Sequence, residues 1–239
     1  MARHRKAEPV DGEFRLLFVC TGNICRSPFA EILTRHLLVG RLGGRVAGRF
    51  DVSSAGVRAV VGSPMHPDSQ AELAPWGLHR AAGAGFTAQQ LRSSTAASAH
   101  LVLGVSPEHR SAVVECAPAA LATAFSLGEF ARLVTSIDRS GLPTEPVARA
   151  HALVEAAWMN RGLTPPADPL DDLVPDPIGR PREAHHEAAA LILAAVRRIV
   201  DVIAPSPAVA VGTGETPART APRAGLHGSD SWPEARPDY

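Results

Sequence analysis

Regular patterning begins at Phe14. From there to Val19 five of six residues are apolar, and the run ends on Cys20. A segment this short and this continuously apolar predicts a strand buried on both faces, as in a parallel sheet. A helical period follows from about Pro28 to Val39, with Ala30, Leu33, Leu37 and Leu38 on one stripe. Ser27 is its expected N-cap, Pro28 suits its first turn, and Gly40, Gly43 and Gly44 are its expected end. Arg49 to Ser54 alternates weakly and predicts a second strand, closed by a turn at Ser54-Ala-Gly56. A helix is expected after His66, stopped by Trp76-Gly77. His100 to Val105 reads as a third strand and Pro107 to Cys116 as a helix. Thr123 to Ser126 reads as a fourth strand and Leu127 to Val134 as a helix. Ser140 to Pro146 is an expected linker, Val147 to Arg161 a helix, and Leu163 to Pro181 a proline- and aspartate-rich loop. Arg182 to Ile203 has the period of a long packed helix. Strands separated by helices predict an α/β fold, a four-stranded parallel sheet flanked by helices on both faces in a Rossmann-like three-layer sandwich.

The pattern delimits one domain over residues 13–203. A polar N-terminus, 1–12, and a Pro/Ala/Gly-rich tail, 204–239, lack apolar periodicity and are expected to be flexible and disordered. A length of 239 residues suits one well-buried domain with some residues left over. Acids and bases balance at 24 each, which gives no charge argument for a nucleic acid or membrane partner. No apolar run approaches the ~18 residues of a membrane span. The first 13 residues lack the apolar segment of a secretion signal, and two of the three cysteines share one loop. The expectation is a cytoplasmic protein whose cysteines stay reduced.

Chemistry concentrates where the first strand meets the first helix. The order Cys20-Thr-Gly-Asn-Ile-Cys-Arg-Ser-Pro28 places a thiol and a guanidinium around one tight loop at a helix N-terminus. Unpaired amides and the helix dipole there favour an oxyanion, and the same positive surroundings favour a thiolate. An anion cradle with a nucleophile on its floor points to phosphoryl transfer through a phosphocysteine. Cys20 is the candidate nucleophile. Arg26 is the candidate bidentate phosphate clamp, and the backbone of Thr21, Gly22, Asn23, Ile24 and Cys25 supplies further donors. Gly22 and Asn23 are types that tolerate the left-handed backbone a wrapping loop requires. Ser27 is a second candidate donor, to the Cys20 sulfur.

This nine-residue stretch resembles the signature of the low-molecular-weight protein tyrosine phosphatases, which are related to a class of arsenate reductases. Ser53-Ser-Ala-Gly56, His100-Leu-Val-Leu-Gly104 with Pro107-Glu-His-Arg110, and Phe125-Ser-Leu-Gly-Glu-Phe-Ala-Arg132 are similar to further segments of that family, and of its actinobacterial members in the last case. The resemblance implies the three-layer fold and a cysteine-dependent phosphatase acting on phosphomonoesters, with protein phosphotyrosine as substrate and no cofactor. It assigns the general acid to Asp176 in Val174-Pro-Asp-Pro, in preference to Asp168, Asp171 and Asp172. It also implies that Cys25 can form a disulfide with the nucleophile under oxidation. Arsenate reductase is one alternative, and a non-catalytic oxyanion- or phosphoprotein-binding module is another. Cys116, expected to be a buried helix cysteine, does not supply the cysteine pair of a thioredoxin-coupled relay. No metal site is expected, since His185 and His186 are adjacent on a helix and point to different faces. The pocket walls depart from the family. Ile178 stands where an aromatic usually follows Asp-Pro, Val57 to Val61 is aliphatic apart from Arg58, and Phe86-Thr-Ala-Gln89 replaces a His-x-Ala-Arg motif. Ile24 keeps the loop nearer the tyrosine-phosphatase pattern than the threonine of phosphoarginine-specific relatives.

Overall fold

The computed structural model describes residues 12–166 and 168–205. Four strands form its sheet: β1 (Phe14–Cys20), β2 (Phe50–Gly56), β3 (Leu101–Gly104) and β4 (Ala124–Ser126). All pairings are parallel, in the order β2-β1-β3-β4. The register sets Phe14 beside Phe50, Cys20 beside Gly56, and Val19 beside Gly104. Eight α-helices, with four short 3₁₀ turns, complete the described chain: α1 (Arg26–Ala47), α2 (Pro67–Ala71), α3 (His79–Gly85), α4 (Ser93–Ser98), α5 (Pro107–Cys116), α6 (Leu127–Ser136), α7 (Pro146–Met159) and α8 (Arg182–Ile203).

Alternation along β1 divides the core into two layers. Phe14, Leu16 and Phe18 pack into one cluster with residues of α1, α6, α7 and α8. Leu17 and Val19 pack into the other with Ala96 of α4 and Val113 of α5. Both faces are therefore covered, which is why the strands read as continuous apolar runs and why the sheet can be wholly parallel. Chain elements run from Phe14 to Ile203, while the N-terminal residues 1–11 and the tail from 206 lie outside the described residues.

Several element boundaries differ from the sequence pattern. α1 does not stop at Gly40 but continues to Ala47, with a break at Gly43 (φ 72°). Gly43, one of the glycines expected to end the helix, does break it, while packing carries the helix past Gly40: Leu42 packs on the core and Arg41 pairs with Asp201 of α8 at 2.5 Å. Ser27 is not the cap of α1. Cys25 occupies that position without a side-chain cap bond, and the Ser27 hydroxyl is used elsewhere. β2 does not turn at Ser54 but runs on through Gly56, held by its ladder to β1. α3 and α4 fall in stretches that carried no apolar period. α4 buries only Ala96, a side chain too small to mark one.

Candidate active site

The loop after β1 stands at the point where the chain's crossovers diverge, toward β2 on one side and β3 on the other. That crevice, at the carboxyl ends of the strands, is where open α/β sheets place ligands. The loop's carbonyls are committed to the segment after β2. Thr21 O accepts from Arg58 N (2.9 Å), Gly22 O from Val60 N (3.0 Å), and Ile24 O from His66 N (2.7 Å). The N–H groups of Gly22, Ile24 and Cys25, by contrast, donate to no acceptor among the described residues. A ring of uncommitted amides at a helix N-terminus is suited to an anion. Asn23 takes the left-handed conformation (φ 55°), whereas Gly22, expected to share it, does not. The glycine that the loop does require is Gly56. A Cβ there would lie 2.5 Å from Thr21 O and 3.0 Å from Asn23 N, so β2 and the loop meet backbone to backbone.

Asn23 also organises the surroundings of the sulfur. The amide of Gln89 donates to Asn23 Oδ1 at 2.7 Å, which fixes the orientation of the carboxamide. Its Nδ2 then donates to Ser27 Oγ (2.9 Å) and Ser54 Oγ (2.8 Å), and Ser54 donates to Glu31 Oε2 (2.6 Å). Ser27, having accepted from Asn23, keeps its own proton for Cys20 Sγ at 2.9 Å; its other acceptor, Ala55 O, lies at 3.5 Å. Asn23 N adds a second donor to the sulfur at 3.3 Å. Two donors thus converge on one buried sulfur. At the far end of this chain, burial holds the Glu31 carboxyl above its ordinary range, against the opposing pull of Ser54 and Arg35.

Arg26 is buried, with Nη1 on Val174 O (3.1 Å) and Nη2 on Asp176 Oδ2 (2.6 Å). Its Nε is buried without a partner among the described residues. Val174 N binds Val105 O at 3.0 Å, which moors the segment carrying Asp176 to the end of β3. Cys20, Arg26 and Asp176 line one cavity of ≈ 220 Å³, with Ile24, Val60 and Ile178 as aliphatic walls. The competing acids are engaged elsewhere. Asp168 and Asp171 form a capping box on a short 3₁₀ turn, and Asp172 pairs with Arg132 at 2.9 Å.

Residues 15–140 match the family model described as low molecular weight phosphotyrosine protein phosphatase. The chain belongs to this family. It is 35% identical over 118 residues to the probable low molecular weight protein-tyrosine-phosphatase EpsP of Ralstonia nicotianae, covering 48% of this chain and 70% of that one. It is 34% identical over 117 residues to a protein-arginine-phosphatase of Geobacillus stearothermophilus, covering 49% and 71%. The solved YwlE arginine phosphatase of Geobacillus stearothermophilus superposes with a TM-score of 0.53 at 26% identity, over 79% of this chain and 91% of that chain. The tyrosine phosphatase Wzb of Escherichia coli K30, bound to sulphate, shares the fold with a TM-score of 0.52 at 22% identity, over 77% and 94%. The chain is thus a cysteine-based phosphatase, a hydrolase.

Within this phosphatase, the structure gathers the residues singled out from sequence: Cys20 to Ser27 in one loop and Asp176 across from it. The sequence reading missed His109. It is buried, with Nε2 2.9 Å from Thr21 Oγ1 and Nδ1 2.7 Å from Ser106 Oγ, so it ties the first turn of α5 to the loop. Burial, and Arg26 after it, lower its pKa to about 4, so it is neutral at pH 7. Its sequence signal was slight, a histidine three residues after the helix cap in Ser106-Pro-Glu-His109. Cys116 is exposed, contrary to the expectation of burial, because α5 turns His109 and Val113 inward instead. Cys25 is a buried free thiol, its pKa raised to about 11 by burial. His185 and His186 do point apart. His186 is exposed beside Glu72, while His185 is buried and stacked on His66. Among the described residues no helix is long and apolar enough to cross a membrane.

Proposed function

We propose that this phosphatase hydrolyses protein phosphotyrosine through a phosphocysteine intermediate, with Cys20 as nucleophile, Arg26 as phosphate clamp and Asp176 as acid and base. One observation carries the reading: Cys20, Arg26 and Asp176 line a single cavity, with the sulfur held by two hydrogen-bond donors. Phosphate oxygens entering the loop take the uncommitted amides and the unpartnered Nε of Arg26, and compete with Asp176 for Nη2. The thiolate forms a bond to phosphorus as the P–O bond breaks, and Asp176 gives its proton to the leaving oxygen. Water next attacks phosphorus, Asp176 takes a proton from it, and the S–P bond breaks. Ser27 donates to the sulfur as it departs. The aliphatic walls Ile24, Val60 and Ile178 pack on the faces of the substrate ring in place of aromatics. The reaction needs Cys20 reduced, the state in which cytosolic thiols are kept.

Hydrolysis of para-nitrophenyl phosphate tests the chemistry. Cys20→Ser should abolish turnover, and Asp176→Asn should lower kcat by ~10²–10⁴-fold. A phosphoenzyme trapped by acid quench in wild type and missing in Cys20→Ser identifies the intermediate. Binding of phosphate with no turnover by the wild type would favour the binding-module alternative. Phosphotyrosine, phosphoserine and phosphoarginine peptides compared by kcat/KM decide the substrate, and a preference for phosphoarginine would overturn the tyrosine assignment.

A further inference from the structure

Cys25 stands outside the hydrogen-bond chain that serves Cys20, and the mechanism above uses neither histidine beside it. Cys25, His66 and His185 each offer one donor atom, and the three atoms lie within 4.8 Å of one another. They arrive from separate segments: the residue capping α1, the residue capping α2, and the first turn of α8. The two imidazoles stack with centroids 4.6 Å apart and 20° between planes. One nitrogen of each ring already has a polar neighbour. Ser69 Oγ lies 2.7 Å from His185 Nδ1, Asp68 N donates to His66 Nδ1 at 3.3 Å, and Asp68 Oδ2 lies 3.8 Å from that same nitrogen. Ser69 Oγ beside His185 Nδ1 is a partner of the kind that orients a ligating imidazole, whereas His66 Nδ1 accepts from Asp68 N and the ring must turn to offer a nitrogen to the metal.

We propose that Cys25, His66 and His185 form a binding site for one borderline-soft divalent cation, Zn²⁺ by its donor chemistry, beside the phosphatase loop. One thiolate and two imidazoles suit zinc and not the hard cations magnesium or calcium. Tetrahedral zinc holds such donors about 3.3–3.6 Å apart, so the present spacing closes by roughly 1 Å. His66, partly exposed, has room to rotate. Binding breaks the S–H bond of Cys25, forms an S–metal bond and releases one proton to solvent; no electron is transferred. Water fills the fourth position. Ile24 O is already tied to His66 N, and Cys25 directly precedes Arg26, so a filled site clamps the loop and inhibits the enzyme. This inhibition rests on the proposed role of the loop; the binding does not.

Titration of the full chain with Co²⁺ alone, monitored by absorption, tests the site. One equivalent should bring up a thiolate-to-cobalt charge-transfer band together with tetrahedral d–d bands, which excess Zn²⁺ removes. The charge-transfer band should persist in Cys20→Ser and vanish in Cys25→Ser. His66→Gln, at a partly exposed position, and His185→Asn should each weaken binding by more than ~10-fold, with circular dichroism to show that the variants are folded. No band in wild type, a band retained in Cys25→Ser, or unchanged affinity in a folded His66→Gln would overturn the site. In parallel, Zn²⁺ should inhibit para-nitrophenyl phosphate hydrolysis reversibly to chelator, and His66→Gln should raise the half-inhibitory concentration more than ~10-fold. Binding without any turnover by the metal-free enzyme would count against the phosphatase mechanism and leave the site standing.

Discussion

At Ser27 a single hydroxyl connects a structural chain to the sulfur proposed as nucleophile. Asn23 occupies its acceptor side, so its proton points at Cys20. Ser27→Ala should therefore leave substrate binding nearly intact and slow departure of the thiolate from phosphocysteine. The expected result is a kcat about 10-fold lower with the phosphoenzyme accumulating in rapid-quench samples. An equal loss in the first, bond-forming step would refute this division. His109 makes a second prediction, on stability. Its pKa falls from 6.5 to about 4 on folding, so between those values the unfolded chain binds more protons than the folded one. Stability from this group is full above pH 6.5 and is lost as pH falls through 4, by up to ~3 kcal/mol. Glu31 acts in the opposite sense, because its raised carboxyl favours the folded state at low pH. Comparing His109→Gln with wild type isolates the histidine: chemical denaturation from pH 7 to 4 should show a shallower decline in the variant. Reactive residues were legible one at a time, since cysteine, arginine and aspartate carry their chemistry in their side chains. Asn23 and His109 were harder to read because their roles consist of partners 31 to 88 positions away.

Elements meet most closely where β2 passes under the loop. Gly56→Ala would put a Cβ 2.5 Å from Thr21 O, with backbone on both sides and no flexible side chain to yield. It should cost about 1–3 kcal/mol and reduce turnover, because the loop itself must shift. Gly40 offers the opposite case. It lies inside α1 with nothing within 4 Å of an added Cβ and no positive φ. Gly40→Ala should stabilise by roughly 0.4–1 kcal/mol and leave kcat unchanged, as thermal melts and para-nitrophenyl phosphate assays would show. The same contrast explains the element boundaries. Strands β1 and β3 were legible because burial on two faces writes an unbroken apolar run. The stretch of α1 from Gly40 to Leu42 was not, because Gly40 argues for a stop while the pairing of Arg41 with Asp201 of α8, 160 residues away, is absent from the local pattern; the break at Gly43 was legible.

At the scale of the whole molecule, the cavity exists because Arg26 and Asp176, 150 residues apart, are brought to the same crevice. In the free enzyme they satisfy each other, and an incoming phosphate must exchange Asp176 for its own oxygens. Orthophosphate at about 100 times its dissociation constant should stabilise the wild type by ~2.7 kcal/mol, several degrees in Tm. Arg26→Ala should show no such rise, and a full rise in that variant would remove Arg26 from the anion site. The amino-acid sequence by itself determined the parallel α/β architecture and the loop chemistry of Cys20 to Ser27, since both are written in contiguous residues whose pattern and side-chain type suffice. Tertiary structure decided what contiguity does not contain. It put Asp176 2.6 Å from Arg26, brought His109 to Thr21 of the loop, linked Glu31 to Asn23 through Ser54, and set His66 and His185 beside Cys25. The physical reason is that parallel crossovers collect the carboxyl ends of distant strands at one edge, so neighbours there are set by strand order and packing and not by spacing along the chain.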